Sequence, residues 1–242
     1  MKQIAYDEMF QNELSHAWYK GTRNLMITIL KPHLKENSKI LDAGCGTGGT
    51  IIFLKNHGLK NVKGIDSSQY ALNYAKKRKI RNLKLASVSR IPYKGNSFDA
   101  VICLDVLYHQ GVDPKKTLKE FNRILKKGGT LYLQVPAYNW LKSSHDISIE
   151  TKHRFTASEV RELIESAHFK IIKLTYFNTL LFIPQMLKRI LDKYKDKKDE
   201  SDVSRLPTLL NDTFLRILRI ESKIVSFMNF PFGLSIICIS RK

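Results

Sequence analysis

Cysteine is scarce in this 242-residue chain. Cys45, Cys103 and Cys238 stand far apart, which excludes a disulfide framework or a cysteine-rich metal cluster and fits a reducing cytoplasm. Acid is short as well: 22 Asp and Glu stand against 41 Lys and Arg, leaving a formal charge of +19. Long apolar runs are missing. The longest uncharged stretch, residues 224–240, holds Asn229, Pro231 and Gly233, and a membrane span needs roughly 20 apolar residues. The opening MKQIAYDEMF carries acids and no apolar centre, so no secretory leader is expected. Internal repeats are absent. What remains is the composition of an ordinary globular protein, 43% hydrophobic and 26% charged, long enough to bury a full core.

The positive charge is uneven. Between Leu54 and Lys94 Asp66 is the only acid among many Lys and Arg. Such a patch attracts phosphate-bearing partners, RNA or an anionic membrane face. Lysine outnumbers arginine, however, and nucleic-acid readers lean on arginine and aromatics. A solvated helix surface explains the same residues.

Apolar runs alternate with helical stretches, the pattern of a parallel sheet with crossover helices. Strands are expected at 38–43, 61–66, 82–86, 98–104, 130–136 and 169–177, with a last one over 233–240. Helices are expected over 7–33, 47–57, 68–79, 114–126 and 156–167. Pro114 opens the fourth of these and Gly128 and Gly129 follow its end. Thr156 and Glu159 form a capping box for the fifth. Two further apolar helical stretches, about 180–193 and 207–228, flank the charged connector KYKDKKDESDVSR.

The most informative stretch is SKILDAGCGTGG, residues 38–49. A strand that breaks into closely spaced glycines lets the backbone turn sharply and press its N–H groups on a ligand. The next helix then points its positive end at that ligand. Gly44, Gly46 and Gly49 satisfy the dinucleotide pattern GxGxxG, with Asp66 about twenty residues on. The same letters also read DxGxGxG from Asp42 through Gly48. Asp42 separates the two readings, because a carboxylate there attracts a cationic ligand and repels a pyrophosphate.

Downstream blocks complete the set: KGIDSS around Asp66, NSFDAVICLDVLYH with Asp99 and Asp105, and RILKKGGTLYLQVP. Together with the glycine loop they resemble class I S-adenosylmethionine-dependent methyltransferases of the UbiE-like, type 11 group. NELSHAWYKGTR resembles an E-x-x-H-W-W-[YF]-x-x-R segment found in a subset associated with surface-glycan biosynthesis; VPAYNWLKSSHD, KHRFTASEVRELIESAHF and PFGLSIICISRK resemble the same subset. The resemblance implies a doubly wound, mostly parallel seven-stranded α/β sheet. The chain reads as one domain, 1–242, with an N-terminal helical lid (1–37), a cofactor core (38–178), a helical insert (179–230) and a last strand (231–242).

For S-adenosylmethionine, the resemblance implies that Gly44, Gly46 and Gly48 line the methionine and ribose, that Asp42 orients the amine, and that Asp66 holds the ribose. Ser67 caps the following helix or touches the adenosine. Leu104 and Asp105 offer backbone contacts. Arg23 clamps the methionine carboxylate, with Trp18 and Tyr19 as a lid. One position departs from the family pattern: Ala86-Ser87-Val88 stands where an acid normally accepts the adenine amino group, so Ser87 supplies a weaker acceptor.

Methyl transfer to an activated carbon needs alignment above all, with a base only for poor nucleophiles. Candidate bases beyond strands four and five are His109, His145 and Asp146, the last two as an oriented pair. No metal site is expected. The acceptor is expected to be a small or lipid- or glycan-linked molecule, with the insert roofing the pocket or lying on a membrane. RNA methylation through the 54–94 patch and a non-catalytic cofactor-binding role stay open.

Overall fold

The computed structural model describes residues 3–143, 146–147, 149–193 and 206–242. A seven-stranded sheet runs in the order β3-β2-β1-β4-β5-β7-β6. Its strands are β1 (Ile40–Ala43), β2 (Val62–Asp66), β3 (Leu83–Leu85), β4 (Phe98–Leu104), β5 (Leu125–Pro136), β6 (Lys170–Phe177) and β7 (Ser235–Arg241). The pairs from β3 to β5 are parallel, and β7 runs antiparallel to both β5 and β6. This is the expected class I arrangement.

Strand alternation sends successive apolar side chains to opposite faces. Leu41, Val101, Leu131 and Leu133 pack on one side, under Leu118 and Phe121 of α5 (Pro114–Ile124) and Val160 and Ile164 of α6 (Ala157–Ser166). Ile40, Ile102 and Tyr132 pack on the other. There they meet α2 (Ala17–Leu30), α3 (Gly49–Asn56), α4 (Gln69–Lys77) and α8 (Thr208–Phe227). The Thr156–Glu159 capping box forms as expected.

Two elements differ from expectation. The N-terminal helical stretch is broken into α1 (Gln3–Asn12) and α2, because the His16 side chain caps α2 by accepting from the Trp18 N–H. The break turns Glu13 inward, where it is 5% exposed. β5 begins at Leu125 instead of 130: Phe98 pairs with Leu125, a register shift follows, and Gly128 takes a φ of +77°.

The insert consists of α7 (Phe182–Lys193) and α8. Leu181, Phe182, Leu215, Leu218 and Val225 are buried against the sheet side, while Ile183, Leu187, Leu209 and Phe227 face outward. Gly21 lets α8 approach α2 closely: a Cβ there would stand 2.8 Å from Leu218 Cβ. Asn211 of α8 completes the junction, its Oδ1 accepting from the Ala17 N–H at 2.7 Å. Glu221, fully buried, accepts from the Thr179 N–H at 2.8 Å and ties α8 to the chain leaving β6. Among the described residues, no helix is long and apolar enough to cross a membrane.

Candidate active site

The carboxyl ends of the parallel strands open onto two adjoining cavities. The first, about 360 Å³, lies over β1 and β2. It is lined by Asp42 of β1, Gly44 and Gly46 from the glycine loop, Asp66 at the end of β2 and Ser67 after it, Ser87 and Val88 after β3, Leu104 at the end of β4, and Asp105 and His109 after it. Tyr6 and Met9 of α1 and Tyr19 and Arg23 of α2 cover it. The residues expected at the cofactor thus converge on one cavity, with one exception. Gly48 has the left-handed φ of +89°, but it caps α3, and a Cβ there would meet Ala75 Cβ at 3.2 Å. Its role is to let α3 pack on α4.

Electrostatics give this cavity its chemical character. Asp42 is 2% exposed, and its Oδ2 has no hydrogen-bond partner among the described residues. Burial pushes its pKa up to about 8, with the nearby carboxylates of Glu13 and Asp66 adding to the rise. Burial also raises Asp66, opposed by the Ser68 and Gly46 N–H groups, which donate at 2.9 and 2.8 Å. Asp42, Glu13 and Asp66 around one concavity, the first with an unsatisfied oxygen, suit a ligand that carries a cationic amine beside a sulfonium. Thr22 Oγ1 and Arg23 Nε are likewise buried and unpartnered among the described residues.

Glu13 went unassigned in the sequence reading, yet it organises the lid. Its carboxylate accepts from Thr47 Oγ1 and from Arg78, and lies 3.6 Å from Arg23 Nη1. Arg23 also donates to the Glu13 carbonyl. Arg23 therefore lines the cavity already anchored to Glu13. Asp7 of α1 accepts from the hydroxyls of Tyr70 and Tyr74 of α4, each at 2.6 Å, so α1 is latched over the site. The available signal was the conjunction of Glu13, Arg23 and Arg78, invisible until α1 folds back over α4. Ser67 faces the cavity without capping a helix; the capping residue of α4 is Ser68.

The second cavity, about 380 Å³, lies beyond β4, β5 and β6. Pro136, Asn178 and Ser235 form its floor, and Leu181, Leu210, Phe214 and Leu218 its apolar roof. Trp18, Asp105, Tyr108 and Ile149 line both cavities.

The proposed bases need correction. Asp146 is 3% exposed and locked in a bidentate pair with Arg154, at 2.8 and 2.9 Å. Although burial opposes it, Arg154 holds the carboxyl below its usual range, so Asp146 is an anchor and no proton acceptor near neutrality. His109 faces the cofactor cavity alone, with Nδ1 2.9 Å from the Ile149 carbonyl, and burial pushes its pKa down to about 4. It is a neutral, backbone-bonded imidazole. His145 lies outside the described residues. Among the described residues no His, Cys, Asp and Glu cluster suits a metal ion.

Comparison with known proteins agrees with this geometry. Residues 41–133 match the family model described as a methyltransferase domain. The chain is 29% identical over 201 residues to a tRNA U34 carboxymethyltransferase of Campylobacter concisus, covering 70% of this chain and 68% of that protein. It is 35% identical over 150 residues to the ubiquinone/menaquinone biosynthesis C-methyltransferase UbiE of Campylobacter jejuni, covering 54% and 63%. Against several other curated relatives it spans less than half of their length. Among solved structures, geranyl diphosphate methyltransferase in complex with its methyl donor superposes with a TM-score of 0.63 at 14% identity, over 92% of this chain and 85% of that one. The acid-rimmed glycine loop, the sheet order and the matched domain agree: residues 41–133 of this chain are a methyltransferase domain of the class I, S-adenosylmethionine-dependent, type 11 group.

Proposed function

We propose that this chain transfers the methyl group of S-adenosylmethionine to a small molecule with an apolar body, held in the second cavity. The observation that carries this reading is the shared wall of the two cavities. A methyl group must pass between them, and Trp18, Asp105, Tyr108 and Ile149 border both. A volume of about 380 Å³ is at the lower end of the range for small-molecule sites. The roof of Leu181, Leu210, Phe214 and Leu218 favours an apolar framework.

S-adenosylmethionine supplies an electrophilic methyl carbon, and the residues of the chain bind, orient and exclude water. Asp42 and Asp66 hold the amine and the ribose, Gly44 and Gly46 admit the chain of the methionine, and Ser87 and Val88 meet the adenine. Arg23, positioned by Glu13, faces the methionine carboxylate. The latched α1 keeps water out of the first cavity.

RNA is the competing acceptor, favoured by the tRNA-modifying relative. The basic 54–94 segment speaks against it, since it builds β2, α4 and β3 at the edge of the sheet remote from β6. The test supplies tritiated S-adenosylmethionine and the purified chain with two fractions of one cell extract, small molecules and total RNA. Label entering an apolar small molecule is expected; label confined to RNA overturns the proposal.

A further inference from the structure

We propose that Asp105 is the general base of the transfer and that the acceptor atom is a neutral hydroxyl oxygen. This rests on the small-molecule reading above. Three observations place Asp105 there. It follows β4 in the left-handed region, with a φ of +55°, a conformation a non-glycine residue rarely adopts and one that turns its side chain off the strand. It borders both cavities, where donor and acceptor meet. Gln134 Nε2 donates to its Oδ2 at 2.7 Å, fixing the carboxyl and leaving Oδ1 without a partner among the described residues.

The surrounding groups leave no competitor. Tyr19 of α2, Cys103 of β4, Tyr108 and Tyr132 of β5 all lie near the carboxyl and are raised further from ionising, chiefly by their own burial. Arg154 is the cation that acts on it, and it is already paired with Asp146. His16 and Asp146 also line the second cavity, and Asp42 the first, but neither His16 nor Asp146 borders both. Burial pushes the Asp105 pKa up to about 7, opposed by the Gln134 hydrogen bond and by Arg154. A base with that value is matched to a hydroxyl at neutral pH. An acceptor already ionised as a carboxylate would need no base and would be repelled by this one.

The step balances. As the hydroxyl oxygen forms its bond to the methyl carbon, its proton passes to Asp105 Oδ1. The carbon–sulfur bond breaks with its electron pair kept on sulfur, and the proton then leaves Asp105 for solvent.

The experiment uses the full chain, tritiated S-adenosylmethionine and the small-molecule fraction of the extract, with S-adenosylhomocysteine as the binding probe. Asp105→Asn is expected to lower label transfer by about 100-fold or more, with S-adenosylhomocysteine affinity held within a few-fold. Asp105→Glu recovers part of the rate. The wild-type rate rises with pH through about 7. Gln134→Leu removes the hydrogen bond that lowers the Asp105 pKa, so it shifts that rise to higher pH without weakening the probe. Infrared titration supplies a readout apart from turnover: a carboxylic-acid carbonyl band titrating near 7 is present in the wild type and absent from Asp105→Asn. The proposal is overturned if Asp105→Asn transfers label within a few-fold of wild type, if rate and probe affinity fall together, or if Gln134→Leu leaves the pH profile in place. If the wild type labels no small molecule at all, the function reading fails first, and this one with it.

Discussion

Replacing Asp42 by Asn should make the ligand-free protein more stable at alkaline pH and a poorer binder of its cofactor. The carboxyl of Asp42 is buried with an unsatisfied oxygen, and its pKa rises from 3.8 in a model peptide to about 8. A folded-state value above the unfolded one means that the native state holds the proton more tightly. The associated stability is complete below about 4 and is lost as pH rises towards 8. At about 1.4 kcal/mol for each pH unit, the loss between pH 6 and 8 is about 2.5 kcal/mol. For a chain of this size that corresponds to a melting-temperature decrease of roughly 5–10 °C. Asp42→Asn cannot ionise, so the gap between variant and wild type should open over that interval. Subtracting the two curves removes the contribution of Asp105, which titrates in the same direction. The assay is thermal melting at pH 6 and 8, with and without S-adenosylmethionine. With ligand the order reverses: the amine and sulfonium favour the ionised Asp42, and Asn forfeits a charge-assisted hydrogen bond worth about 1.5–3 kcal/mol, roughly 10–100-fold in affinity. The reasoning is refuted if Asp42→Asn follows the wild-type pH dependence without ligand, or if its cofactor affinity is unchanged.

Other outcomes follow from the same geometry. Ser87→Asp should tighten S-adenosylmethionine binding by about 1 kcal/mol, roughly fivefold, measured by calorimetry; no tightening would mean Ser87 does not face the adenine. Asp7→Asn weakens the latch to Tyr70 and Tyr74, so cofactor dissociation in stopped flow should accelerate several-fold. Gly21→Val forces α2 and α8 apart at Leu218 and should destabilise by about 1–3 kcal/mol in urea unfolding. Phe214→Ala should lower acceptor affinity while leaving S-adenosylhomocysteine binding intact, since Phe214 lines the second cavity alone.

The cofactor side of the site was legible because its determinants are local. A strand, an acid and glycines adjoin in sequence; Asp66 is the last residue of its strand, and Ser87 and Asp105 fall just past theirs. The acceptor side was harder to read because its determinants are pairings across the chain. Asp146 looks like half of a base pair with its neighbour His145, yet its partner is Arg154, eight residues on. Glu13 looks like one more surface acid until α1 and α4 close around it. Asp105 carries the same letter whether its side chain or its backbone meets the ligand; its left-handed φ and its bond from Gln134 of the neighbouring strand appear only in the fold. Gly48, by contrast, fitted the motif and faces elsewhere.

The reversed β7 has a consequence for how such a protein changes its substrate. Because β6 ends and β7 begins at the same edge, the connection between them leaves and returns within a single rim of the sheet. Everything that roofs the second cavity is therefore one excursion of the chain, anchored at Glu221 and Asn211. Exchanging that excursion for another of different length leaves every strand register untouched, and the donor site too if the new segment keeps the contacts that Leu218 and Asn211 make with α2, whose Tyr19 and Arg23 cover that site. A chimera with a foreign 180–233 segment that retains those two contacts should keep its methyl donor and accept a different molecule, so substrate range can diversify by grafting while the chemistry is inherited whole.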